Sequence, residues 1–158
     1  MKTIRSIRST GSTRFTRFAP LLAVLVSFAA SAQPDPAAAA AAKEKGAVVT
    51  PTGLVYVSLK DGTGASPTAA DTVKVNYRGT FPDGREFDSS YKRNEPAQFP
   101  LGGVIPCWTE GVQRMKVGGK AKLTCPAAIA YGSRGQGGTI PPNATLHFEI
   151  ELLQIAKR

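Results

Sequence analysis

The stretch VIPCWTEGVQRMKVGG, Val104 to Gly119, limits what this chain can fold into more than any other. It holds the only tryptophan and the only compact helical pattern; the remainder reads as strand or turn. Pro106 has a fixed φ suited to a first helical turn, and Trp108, Val112 and Met115 follow at i, i+4 and i+7, so three large apolar side chains share one face. Gly118-Gly119 is the expected stop. A helix this short is unstable alone in water, so its apolar stripe needs a sheet wrapped around it, with Trp108 at the entry end.

The strands are legible by alternation. Val55, Val57 and Leu59 share a face before the turn Asp61-Gly62, and Val73, Val75 and Tyr77 alternate with Lys74, Asn76 and Arg78. Ala121, Leu123 and Cys125 alternate with Lys120, Lys122 and Thr124, and the last strand sets Leu146, Phe148, Ile150 and Leu152 against His147, Glu149 and Glu151. Strands with one apolar and one wet face, joined by Gly/Pro turns around one helix, predict an α+β domain with a curved antiparallel sheet. Residues 132–143, rich in glycine and closing on Pro141-Pro142, form a long loop.

Residues 1–32 read as a signal peptide. Lys2, Arg5, Arg8, Arg14 and Arg17 precede a short apolar run, Leu21 to Ala30, and Ala30-Ser31-Ala32 is a small-residue cleavage signal. The run is about half the roughly 20 residues that cross a bilayer, so no membrane span is expected after processing. The product is expected in the periplasm or secreted; a Ser/Thr/Arg-rich, acid-free start also fits a transit peptide to an organelle lumen. Five of the 20 basic residues fall in this leader, leaving 15 against 11 acids, a net +4 instead of +9. Those charges interleave, as in Lys92-Arg93-Asn94-Glu95, which argues for a solvated face and against nucleic acid as a partner. Residues 33–50, with six alanines from Ala37 to Ala42 and no apolar periodicity, read as an unfolded linker, and residues 51–158 as the domain.

Several chemistries are excluded. His147 is the only histidine and occupies an outward strand position, so a Ser/His or Cys/His hydrolase has no base. Two cysteines and that histidine do not make a tetrahedral zinc site, and no glycine-rich phosphate loop joins a strand to a helix, so neither metal nor cofactor is expected. What stands out is a stock of aromatics near Gly and Pro: Tyr77, Phe81, Phe87, Tyr91, Phe99, Trp108, Tyr131 and Phe148. In a small domain any one of them is by default a core residue.

Six segments, in order, carry a resemblance: Val73-Lys-Val-Asn-Tyr-Arg-Gly79, Phe87-Asp88-Ser89-Ser90, Phe99-Pro-Leu-Gly102, Val104-Ile105-Pro-Cys-Trp108, Ala130-Tyr131-Gly132 and Ile140-Pro141-Pro142 running into Asn-Ala-Thr-Leu146. Together they resemble the FKBP-type peptidyl-prolyl cis/trans isomerases from about Gly53 to Ile155. The resemblance implies isomerisation of X-Pro bonds in unfolded or nascent exported polypeptides, on the curved sheet and single helix already expected. It implies a pocket walled by Tyr77, Phe87, Phe99 and Phe148, floored by Trp108 and flanked by Val104, Ile105, Tyr131 and Ile140. Tyr77, Phe87, Asp88 and Tyr131 would carry catalysis, with Asp88 and the Tyr131 hydroxyl as polar handles and the Ile105 N–H as a donor to a substrate carbonyl. Macrolides such as tacrolimus and rapamycin are implied ligands, although Ala97, Gln136 and Thr139 depart from common members at the rim. Larger relatives have helix-rich N-terminal extensions that dimerise; the short linker here leads to the expectation of a monomer. A non-catalytic chaperone module holding chains in the same pocket is the rival reading.

Cys107 and Cys125 are a candidate disulfide. An exported chain with two cysteines enters an oxidising compartment, Cys125 points inward, and Cys107 starts the helix that should cover that face. Two separate buried thiols are the alternative.

Overall fold

The computed structural model describes residues 35–156; the expected signal peptide and the first residues of the expected linker lie outside them. The order of elements is α1 (Pro36–Ala41), β1 (Ala47–Val49), β2 (Val55–Lys60), β3 (Thr72–Thr80), β4 (Glu86–Ser89), β5 (Ala97–Pro100), α2 (Pro106–Gln113), β6 (Lys120–Cys125) and β7 (Leu146–Ala156), with short 3₁₀ turns at Tyr91–Arg93, Leu101–Gly103 and Ala127–Ile129. This is the expected α+β architecture. All strand pairs are antiparallel, in the order β1-β2-β6-β7-β3-β4, with β5 also pairing β3.

The long strand β7 positions the rest, because it pairs β6 on one side and β3 on the other. Beyond β3, the edge is shared in sequence: β5 takes Thr72 to Val75 and β4 takes Arg78 to Thr80. Their apolar faces follow the period-two reading. Val73, Val75 and Tyr77 of β3, Ala121, Leu123 and Cys125 of β6, and Leu146, Phe148, Ile150 and Leu152 of β7 are all buried against α2. The helix can approach closely because Gly111 faces Leu123; a Cβ there would lie 2.6 Å from a leucine methyl.

Pro106 stands in the first turn of α2, and Trp108, Val112 and Met115 are buried as the spacing requires. The helix ends earlier than expected, at Gln113 and not at Gly118-Gly119. Met115 N–H closes on the Val112 carbonyl at 3.0 Å, three residues back, and the chain beyond takes other partners. Val117 N–H bonds Ala65 O of the loop after β2 and Gly118 N–H bonds Leu152 O of β7, so carbonyls distant in sequence replace the helical ones. Gly118 lies past the true end, with φ +87°.

The sulfurs of Cys107 and Cys125 are bonded, tying the first turn of α2 to the end of β6 with Cα atoms 5.8 Å apart, a normal span for a bridge. Both residues are fully buried.

Three expectations need correction. Leu59 does not share the face of Val55 and Val57; it is 50% exposed, because the pairing of β2 with β6 shifts register between Ser58 and Lys60 and the alternation breaks there. The stretch read as an unfolded linker carries α1, capped by Asp35 Oδ1 accepting from Ala37 N–H at 2.8 Å, and β1, which extends the sheet beside β2. Its anchors are distant in sequence: Thr145 Oγ1 donates to Asp35 Oδ2, Lys122 Nζ meets Glu44 Oε1 at 2.5 Å, and Ala41 is buried. His147, read as a surface residue, is half-buried on that same face. Its Nδ1 lies 2.8 Å from the hydroxyl of buried Thr124, and burial, with the charge of Lys122, lowers its pKa.

Candidate functional site

The site grows out of β3. Tyr77 projects inward from the strand centre, β4 brings Phe87 and Asp88 to one half of the β3 edge, and β5 brings Phe99 to the other half. Phe148 comes from the adjacent position on β7, paired with Gly79. Gly79 is required: a Cβ there would lie 2.5 Å from the Phe87 ring and 3.0 Å from the Phe148 ring, so any side chain would push the two aromatics out of place. Trp108, presented by the first turn of α2, closes the set.

The rings pack edge to face around the indole. Trp108 stands 5.2 Å from Tyr77, 5.4 Å from Phe99 and 5.3 Å from Phe148, centroid to centroid, at interplanar angles of 78°, 89° and 90°. Phe87 meets Phe148 at 5.6 Å and 88°. Each such pair contributes about 0.5–1.5 kcal/mol beyond area burial, so the tryptophan is locked from three sides. Its indole N–H is buried without a hydrogen-bond partner among the described residues.

Above the indole lies a cavity of about 620 Å³. Tyr77, Phe87, Asp88, Phe99, Val104, Ile105, Trp108, Tyr131 and Phe148 line it, as do Gln136 and Thr139 from the 130–144 loop. Ile140 does not. It is buried in the core and exchanges backbone hydrogen bonds with Gln136 at 2.8 and 2.9 Å, so it pins the loop while its neighbours face the opening. Ala97 is likewise absent from the lining; its place on β5 opposite Val75 turns it against the core. Gly103 and Gly137 line the cavity and were not singled out from sequence, since a glycine contributes only backbone there.

Asp88 is the only acid or base lining this cavity, and it is held from three directions. Tyr77 hydroxyl donates to Oδ2 at 2.5 Å, Arg93 Nη1 donates to Oδ1 at 2.6 Å, and the Ser89 N–H reaches Oδ1 at 2.8 Å. Arg93 also donates through Nη2 to the Tyr77 oxygen at 2.8 Å, with its guanidinium 5.6 Å from the centre of the Tyr77 ring. Burial pushes the Asp88 carboxyl up, but the bonds from Tyr77 and Arg93 together with the Arg93 charge outweigh it, and its pKa is lowered. Burial and the bond to Asp88 raise the pKa of Tyr77. Burial, then the Asp88 charge, raises that of Tyr131, so both phenols stay protonated donors at neutral pH.

Arg93 is the functional side chain that sequence reading missed. It belongs to Lys92-Arg93-Asn94-Glu95, where charges interleave as on any solvated surface. What aims it is the 3₁₀ turn Tyr91–Arg93, ended by Asn94 in the left-handed region at φ 51°. The available signal was the asparagine, a residue tolerated at positive φ, six positions after Asp88. Ile105 caps α2: its carbonyl accepts from Trp108 and Thr109 N–H, while its own N–H precedes the helix and donates to no backbone carbonyl in the turns and loops described.

Residues 64–153 match the family model of the FKBP-type peptidyl-prolyl cis-trans isomerases. The chain belongs to that family. Among FKBP-type relatives, FkpA of Escherichia coli K12 is 55% identical over 114 residues, covering 72% of this chain and 42% of the relative. The FKBP-type 22 kDa isomerase of the same organism is 50% identical over 72% of this chain and 55% of its own length. This FKBP-type chain thus spans about half the length of these relatives. Among solved structures, E. coli FkpA superposes with a TM-score of 0.73 at 52% identity, covering 75% of this chain and 55% of that one. A peptidyl-prolyl cis-trans isomerase from Pseudomonas syringae gives 0.72 at 37% identity, covering 77% and 89%. No helix among the described residues is long and apolar enough to cross a membrane.

Proposed function

We propose that this FKBP-type chain accelerates cis-trans isomerisation of X-Pro bonds in exported polypeptides, and that the aromatic cavity over Trp108 is where the bond rotates. The observation that carries the reading is the convergence of Tyr77, Phe99 and Phe148 on one buried indole, under a cavity whose single charge is already engaged.

The reaction makes and breaks no bond. Resonance holds the amide planar behind a barrier of about 18–20 kcal/mol, although cis and trans X-Pro lie within about 1 kcal/mol of each other. A half-rotated amide has lost resonance and much of its dipole. Water solvates the planar amide better than the twisted one, so a pocket of aromatic faces favours the twisted state relative to bulk solvent. A thousandfold acceleration requires about 4 kcal/mol. That is within reach of the transfer preference plus one or two hydrogen bonds of about 1 kcal/mol each. The prolyl ring stacks over Trp108 between Tyr77, Phe99 and Phe148; the Tyr131 hydroxyl and Ile105 N–H offer donors to the peptide carbonyls. Phe87 keeps water from the rotating bond. Asp88 stays charged and bound to Tyr77 and Arg93, and its contribution is a fixed field on the cavity wall, with no proton transferred.

Macrolides that present a pipecolyl ring, tacrolimus and rapamycin, fit the same seat. Gln136 and Thr139 replace an imidazole and an aliphatic chain in the lining, so binding is weaker than in family members that have both. The A-x-A signal at residues 30–32 supports export, with the periplasm as the working compartment. A protease-coupled assay on a succinyl-Ala-X-Pro-Phe anilide tests the activity. Acceleration at submicromolar enzyme, greatest with an apolar X, is expected. A protein that retards aggregation of an unfolded client but leaves the prolyl phase unchanged would be the non-catalytic chaperone instead.

A further inference from the structure

At the other end of α2 from Trp108 lies a second cavity, of about 250 Å³, which shares no residue with the first. The end of β2 forms one wall and the chain leaving α2 the other. Four cations reach it, Lys60, Arg114, Lys116 and Lys120, against one acid, Asp61. Neighbours offset this charge only in part. Arg114 and Lys120 approach Glu110 and Glu149 only at 3.5 Å, and Lys60 and Lys116 pair with no acid among the described residues. Asp61 accepts from the Ser58 hydroxyl at 2.6 Å.

The backbone builds the notch. A Cβ at Gly62 would lie 2.3 Å from Lys116 O and 2.6 Å from Gly119 N, so only glycine lets the two chains close. Bonds from Gly64 N–H to Val117 O, Val117 N–H to Ala65 O and Gly118 N–H to Leu152 O keep them closed. Lys60 and Lys116 are thereby held on facing walls, over a floor of buried Met115 and Gly119. Tyr56 lines the same space, and burial, then the Asp61 charge, raises its pKa, leaving a neutral hydroxyl donor.

We infer that this notch is an anion site that takes a phosphate group. Two lysines that pair with no acid among the described residues, Lys60 and Lys116, match a dianion better than a single carboxylate, the guanidinium of Arg114 and the Tyr56 hydroxyl add directional donors, and the volume is below that of a drug-sized ligand pocket. The phosphate belongs either to a free anion or to a lipid headgroup of the phosphomonoester type.

The test is a ¹H–¹⁵N titration of the full chain with inorganic phosphate at fixed ionic strength, paired with flotation on phosphatidic acid vesicles and on phosphatidylcholine vesicles. Saturable shifts are expected at Gly62, Lys116 and Gly119, with Gly103 and Gly137 of the aromatic cavity unmoved. The double variant K60Q/K116Q should bind roughly tenfold more weakly, the screened loss of two unit charges facing a dianion, while K60R/K116R should bind at least as well as the parent. Capture by phosphatidic acid vesicles that phosphate reverses assigns the headgroup as the source; phosphate binding without capture assigns the free anion. Shifts that rise linearly without saturation, a glutamine variant that titrates like the parent, or a folded arginine variant that no longer binds would overturn the site.

Discussion

Reducing the bond between Cys107 and Cys125 should cost about 3 kcal/mol of stability. The bridge closes a segment of 18 positions that contains α2 from Cys107 onward, and the chain-entropy relation assigns roughly 3 kcal/mol to a loop of that length at 25 °C. For a folded unit of about 120 residues the unfolding entropy is roughly 0.25 kcal/mol/K, so the melting temperature should fall by about 12 °C. Reduction of the unmutated protein is a cleaner perturbation than alanine substitution, because both sulfurs are fully buried and removing them would add a cavity. The assay is urea unfolding followed by circular dichroism, with and without reductant, after a free-thiol count on the denatured, unreduced chain. No thiols before reduction and a lower midpoint after it are expected. Catalysis should survive below the new transition to within about threefold, since Trp108 is also held by three rings. Two titratable thiols in the unreduced protein, or coincident unfolding curves, would refute the reasoning.

Other consequences follow for the cavity and the outer face of the sheet. Phe87→Ala opens the wall against Phe148 and should lower kcat/KM by roughly ten- to a hundredfold by admitting water, whereas Tyr131→Phe removes one hydrogen bond and should cost about two- to tenfold; circular dichroism of both variants checks that the fold is intact. The folded Asp88 pKa lies below its unfolded value, so its stabilising contribution is present above the unfolded value of about 3.9 and is lost as pH falls through the folded value. Carboxyl ¹³C titration should accordingly show Asp88 ionised throughout pH 5–8, and Arg93→Ala should move its titration upward. For His147 the folded pKa is also depressed, but the neutral form is the folded one: stability is full above the unfolded value of about 6.5 and declines as pH drops below it. His147→Asn should flatten that decline in chemical denaturation between pH 7 and pH 5. Titrating tacrolimus or rapamycin should change Trp108 fluorescence and inhibit isomerisation; saturating drug with neither effect would argue against Trp108 as the floor.

The parts of the fold that were legible in sequence are those decided by local pattern. Val73, Val75 and Tyr77, and Leu146 to Leu152, sit where alternation puts them because each strand is paired on both sides and one face is dry. Trp108, Val112 and Met115 are buried although only the first two belong to the helix, since the tightened turn after Val112 keeps Met115 on the same side. What could not be read depended on distant partners. Leu59 is exposed because of a register shift against β6, and the six alanines, good helix formers, carry no apolar stripe that says where α1 docks; its anchor at Thr145 is 110 positions from Asp35. The aromatic members of the site were identified through family motifs; Arg93 has none of their signal, because its role arises only when a 3₁₀ turn folds it back over Tyr77 and Asp88. Ile140 shows the converse: a motif residue whose neighbours Gln136 and Thr139 face the cavity while it enters the core.

The central claim is that an X-Pro bond rotates over the Trp108 indole, and exchange NMR on a short apolar-X-Pro peptide tests it most directly. Added in catalytic amount, the protein should produce cis-trans exchange cross-peaks on a subsecond timescale, where the free peptide takes tens of seconds, together with transferred Overhauser effects from the prolyl ring to the Trp108 indole protons. Exchange unchanged from the free peptide, or prolyl contacts that fall on residues outside the cavity lined by Tyr77, Phe87, Phe99 and Phe148, would contradict it.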